Sequence, residues 1–136
     1  VAKPVRQSDN PTDDFLHGSL DDHLDMTRIR QGGFAGELFA VFVPPVQYVK
    51  QLQPDYDERQ YSALAITEAQ IALLHNVAER SQGQARVCRT TGEIEQCTEQ
   101  DLLAMVLYIE GAEALDVGYS QPDGWVAAGL ASTGPL

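Results

Sequence analysis

Basic residues are scarce. Lysine and arginine number 9 against 20 aspartates and glutamates, a formal net charge of −11. Nucleic acid and anionic membrane surfaces repel such a chain, so neither is an expected partner. Cysteine is scarce too. Cys88 and Cys97 cannot build a disulfide framework or a four-thiolate zinc site; they read as free thiols, with a bridge between them left open. Long apolar runs are missing. Leu102 to Ile109 falls well short of the roughly 20 residues a membrane-spanning helix needs. No basic flank followed by an apolar stretch opens the chain, so no signal peptide is read, and the cytoplasm is the default expectation. There is no phosphate-binding glycine loop, no Gly-x-Ser-x-Gly elbow, and no calcium loop among Asp13-Asp14, Asp21-Asp22 or Asp55-Asp57-Glu58.

What is present suits one folded unit. The chain has 136 residues, and 43% are hydrophobic, which is enough for a core. Residues 1–22 are rich in proline, serine, asparagine and charge and are expected to be irregular. His23 to Arg30 reads as a short helix ending at Gly32-Gly33. Leu38 to Val43 is an unbroken apolar run stopped by Pro44-Pro45, the pattern of a strand buried on both faces. Residues 56–80 are the best helix candidate, with Ile71, Leu74, Val77 and Ala78 on one face. Ala85 to Arg89 suggests a short strand, Glu93 to Cys97 a helical turn, and Trp125 to Ala131 a short helix. Leu102 to Ile109 is the second buried strand. Strand, helix and strand in this order form a βαβ unit of an α/β fold with a parallel sheet. Two such strands leave edges and faces uncovered, so the chain reads as a single partial domain: an irregular segment 1–22 and a βαβ portion over 23–136.

Glu110 is the most informative residue. It follows the most apolar strand, where α/β barrels carry their catalytic groups, and a glycine comes next. A carboxylate there holds a cation, acts as an acid or base, or merely ends a strand in solvent; position alone leaves these open. His23 and Asp25 have His-x-Asp spacing, which suits a metal only on a strand, and the residues after them read as helix. A structural or surface role is expected for both. His75 is expected to pack or face solvent, and His17 carries no signal.

Three stretches together resemble the membrane dipeptidase (renal dipeptidase) family of metal-dependent amidohydrolase barrels. His23-Leu24-Asp25-Met26-Thr27-Arg28-Ile29-Arg30-Gln31-Gly32-Gly33, running into Leu38-Phe39-Ala40-Val41-Phe42-Val43-Pro44, is similar to the family's "HLDLPRLRxGGxxxxFxAxFVP". Tyr108-Ile109-Glu110-Gly111-Ala112-Glu113-Ala114-Leu115 is similar to its "IEGxxAL". More weakly, Trp125 to Leu130 with Gly134-Pro135-Leu136 resembles "YxxGxRxxxL". The likeness spans residues 14–136.

The resemblance implies a portion of a (β/α)8 barrel from a zinc-dependent dipeptidase. In that family two zinc ions hold a bridging hydroxide that attacks the peptide carbonyl, and the glutamate of the "IEG" motif bridges them. On this chain that glutamate is Glu110, the one metal ligand the likeness carries over; it carries over no further catalytic residue. The family's upstream "DGHxD" strand has no match in residues 1–22, and its later histidine ligands lie beyond Leu136. His23 and Asp25 therefore do not take the first ligands' place. The expected partners are a dipeptide substrate and either the rest of the barrel or a second copy of the chain. Tight zinc binding is not expected of this chain by itself. The alternative is a catalytically inactive derivative serving as a binding or assembly module.

Overall fold

The computed structural model describes residues 10–18 and 23–134. The described chain runs α1 (Pro11–His17), α2 (Met26–Gln31), β1 (Gly36–Phe42), α3 (Val46–Leu52), α4 (Ala63–Arg80), β2 (Ala85–Val87), α5 (Thr91–Glu99), β3 (Leu103–Glu110), α6 (Pro122–Ala127) and β4 (Leu130–Gly134). It is an α/β fold with a parallel sheet. β3 is central: β1 lies along one side, while β2 and β4 share the other. Ala85 to Val87 pair with Leu103 to Met105, and Leu130 to Gly134 pair with Leu107 to Glu110. All three pairings are parallel, as expected for Leu38–Val43 and Leu102–Ile109.

Alternation along β3 divides the core in two. Leu103, Met105, Leu107 and Ile109 point one way and meet Met26 and Ile29 of α2 and Ile71, Leu74 and Val77 of α4. Ala104 points the other way, onto Cys88 and on Cys97 of α5, with Val106 beside them. The two faces follow from the order of the strands. The chain steps past β3 to reach β2 and then returns. Connections of the same hand must therefore place α4 and α5 on opposite sides of the sheet.

Four expectations need correction. Residues 11–17 are helical, not irregular, because Asn10 caps the helix through Asp13 N–H (3.3 Å) and Pro11 opens it. Thr12, buried, donates to Asn76 Oδ1 at 2.8 Å and so docks α1 on α4. Residues 1–9 and 19–22 of that segment lie outside the described residues. The helix expected from residue 56 begins at Ala63, where the Ser62 side chain accepts from Ala65 N–H. The helix expected at Trp125–Ala131 ends at Ala127, and Leu130 onward is strand. Gly129, with φ +107°, makes the turn between them; a Cβ there would stand 3.0 Å from Val87 Cγ1, where β2 stops and β4 takes over.

The fourth concerns β1, which is not buried on both faces. Phe39 and Val41 pack against the core, but Leu38 is 58% and Phe42 37% exposed on the other side. Among the described residues no helix is long and apolar enough to cross a membrane.

Candidate functional site

Parallel pairing brings the C-terminal ends of β1, β3 and β4 to one rim. Phe42, Glu110 and Gly134 form a single row there. Glu110 shares its face with Tyr108 and Val106, and across the pair with Leu38, Ala40 and Phe42. This is the face opposite α4. Glu110 is half-buried, and no hydrogen bond or ion pair joins its carboxylate to a described residue.

The backbone after Glu110 is tightly specified. Gly111 has φ +103°, a conformation that a side chain strongly disfavours. Its N–H donates to Gly134 O at 2.7 Å, and its carbonyl accepts from Thr133 Oγ1 at 3.4 Å. β4 thus holds the turn that leaves β3. A Cβ on Gly134 would come within 2.8 Å of the Tyr108 hydroxyl, so the Tyr108 ring tip lies over this glycine beside Glu110. A bulge in β4 opposite Leu107/Tyr108 shifts the register and sets this arrangement.

Behind the rim, on the α4 side, Val43, Ile109, Ala114, Trp125 and Leu130 line a small cavity of about 80 Å³. Glu113 is exposed, with its side chain at the cavity's edge. Tyr61 donates to Pro44 O at 2.9 Å; burial, then the nearby charge of Glu113, raise the Tyr61 pKa. At the end of β1, Gln70 of α4 acts on the backbone from the side. Its Nε2 donates to Phe42 O (2.7 Å) and its Oε1 accepts from Phe42 N–H (3.0 Å).

Asp25 is where its neighbours suggested, capping α2. Its carboxylate, 2% exposed as a residue, accepts from Arg28 N–H at 2.8 Å and pairs with the Arg28 guanidinium. His23 is exposed. His75 Nε2 meets Ala128 O at 2.6 Å and ties α4 to the turn before β4; His17 is exposed at the end of α1. None of them approaches Glu110 in a cluster: among the described residues no group of three or more His, Cys, Asp or Glu is placed to hold a metal ion. Tyr108 and Gly134 stand in the motifs without an assigned role, and the Gln70 brace was not singled out from sequence. The alternation Val106, Tyr108, Glu110 was the available signal for the first.

Residues 4–134 match the family model of membrane dipeptidase, peptidase family M19. The chain belongs to this family. Dipeptidase verJ of Clonostachys rogersoniana is 29% identical over 91 residues, 65% of this chain and 23% of its own. An uncharacterized protein in the PQQ-III 3′ region of Acinetobacter calcoaceticus is 34% identical, covering 93% of this chain and 42% of its own length. A metallopeptidase from Rhodobacter sphaeroides, liganded with a phosphinate mimic of the dipeptide L-Ala-D-Ala, superposes with a TM-score of 0.80 at 27% identity, over 93% of this chain and 40% of that one. The family M19 dipeptidase AC gives 0.79, also at 27% identity, over 93% and 39%. The chain therefore spans about four tenths of the relatives it matches along its length.

Proposed function

We propose that this chain forms part of a zinc-dependent dipeptidase and that Glu110 is one ligand of its metal centre. The observation that carries the reading is the place of Glu110 in a chain of this family. It ends the central parallel strand at the C-terminal rim and is followed by a left-handed glycine that β4 holds in place.

A carboxylate oxygen is a ligand that zinc accepts, so Glu110 fits one corner of such a centre. The described residues do not complete it, and the other ligands belong to chain outside them. When bound, the ions supply Lewis-acid polarisation of the scissile carbonyl. The chain's own contribution is placement. The Gly111–Gly134 hydrogen bond fixes where β3 ends, and Gln70 fixes the neighbouring end of β1. Glu110 is thereby held between two braced strands rather than on a loose loop.

The rest of the barrel is part of the proposal. Among the described residues β1 pairs with no strand other than β3, and Leu38 and Phe42 present apolar surface beside Glu110. Further strands pair along the other edge of β1 and cover this face, which matches the greater length of the relatives.

The test is a pair of variants in the whole protein, Glu110→Gln and Glu113→Gln, each assayed for bound zinc and dipeptide turnover. Glutamine is close in size to glutamate but cannot supply an anionic oxygen. Glu110→Gln is expected to lose metal and nearly all turnover, and Glu113→Gln to keep both. Full metal and near-normal turnover in Glu110→Gln would end the reading.

A further inference from the structure

The face of the sheet opposite α4 carries a second chemically capable pair, distant from the rim. Cys88 follows β2, and its N–H donates to Met105 O at 2.8 Å. Cys97 lies in α5 and its carbonyl accepts from Leu102 N–H at 2.8 Å. Their sulfur atoms are 3.5 Å apart, with Cys88 1% and Cys97 0% exposed. Both thiols are free in the structure, and each is held by backbone bonds on its own side.

We propose that Cys88 and Cys97 are a site of reversible covalent modification, closing to an intramolecular disulfide by exchange with a small-molecule disulfide. The inference does not depend on the dipeptidase reading. A disulfide needs its sulfurs about 2.05 Å apart, so closure asks for a shift of about 1.5 Å, within the reach of side-chain rotation. In the first step one thiolate attacks the small disulfide; its S–S bond breaks, one thiol leaves, and a mixed disulfide remains on the protein. The second cysteine then attacks the protein sulfur of that mixed disulfide and expels the other thiol. The protein loses two protons and two electrons, and the small disulfide takes them up as two thiols.

Access is the controlling step. Burial first, then the hydrogen bond and charge of Cys97 and the charge of Glu93, push the Cys88 thiol up to about 12, with Arg86 opposing. In the closed fold the Cys88 thiol is therefore protonated at neutral pH, and with both sulfurs buried no small disulfide reaches the pair. Exchange proceeds when α5 opens. This helix is nine residues long and buries only Cys97, which suits it to opening by itself. Once formed, the bond rivets α5 to the end of β2.

Digestion reads the state directly. Trypsin cleaves after Arg86 and Arg89, which places Cys88 in the peptide Val87–Arg89, while Cys97 lies in the peptide that begins at Thr90. The folded whole protein is incubated with oxidised glutathione at pH 8, alkylated and digested without reductant. The expected result is a joined pair of these two peptides, an intact mass lower by two hydrogens, reversal by dithiothreitol, and a higher melting midpoint for the oxidised form. Cys97→Ser should give no joined peptide. A joined peptide that forms only after unfolding in guanidinium, or none at any excess of oxidised glutathione, would overturn the proposal.

Discussion

Gly111→Ala probes the turn on which Glu110 depends. At φ +103° an alanine is strained by about 2 kcal/mol, within the range for residues forced into sparsely populated backbone regions. Relaxing φ would pull the N–H away from Gly134 O, a 2.7 Å bond whose loss costs about 1 kcal/mol more. The new methyl would also collide with the Glu113 carboxylate, but that is the far end of an exposed, flexible side chain, which can swing aside cheaply. The expected loss is thus about 2–3 kcal/mol, roughly a 30- to 140-fold drop in the folding constant. Urea unfolding followed by Trp125 fluorescence measures it; Trp125 is the one tryptophan, is buried, and lines the same cavity as Gly111. Repeating the substitution in a Glu113→Ala background separates the two causes. Backbone strain predicts the same loss there, within about 0.5 kcal/mol. A loss below about 0.5 kcal/mol for Gly111→Ala, or full rescue by Glu113→Ala, would refute the backbone argument.

Gln70→Ala should cost about 1 kcal/mol and speed amide exchange at Phe42, whose N–H and C=O lose a partner together; unchanged exchange there would remove Gln70 as a brace. Asp25→Ala should destabilise by about 1–2 kcal/mol through the lost cap of α2, while His23→Ala should stay within about 0.5 kcal/mol; equal effects on thermal melts would contradict the capping role. Asp116 accepts from Ser120 Oγ and N–H, which hold its pKa below the ordinary aspartate value. Because the folded pKa is depressed, the turn's contribution is complete above the ordinary carboxylate range and is lost as pH falls through the folded value. The Ser120 amide shift should therefore titrate with a midpoint below that of an aspartate in an unfolded peptide, and a midpoint at or above it would refute the assignment.

The parallel core was legible because β3 is apolar at nearly every position, and α4 repeats Ile71, Leu74 and Val77 at helical spacing. That Glu110 closes this strand was legible from its place after that run. α1 was also written in the chain, in the cap Asn10, the opening Pro11 and the acidic Asp13-Asp14, but these signals sat among turn-forming residues that dominated the reading. β4 was not legible. Leu130, Ala131, Ser132, Thr133 and Gly134 have little strand character of their own and become extended by pairing with β3. The open face of β1 was hidden for a related reason. An unbroken apolar run states what must eventually be covered, and not which element covers it.

The strand order also sets a timetable for synthesis. β2 and β3 are separated by about 20 residues, so their pairing closes a short loop and comes readily. β1 must wait for β3, about 70 residues downstream, which at ordinary elongation rates is about 3 to 14 s after Gly36 has been made. Through that interval Leu38, Phe39, Val41, Phe42 and Val43 are a nascent apolar strand with both edges bare, the kind of segment that other chains and chaperones bind. Pro44-Pro45 ends it at once, and neither proline can donate a ladder hydrogen bond. Chains arrested on the ribosome before residue 103 should therefore bind chaperones at this strand more strongly than chains arrested after residue 110 has emerged.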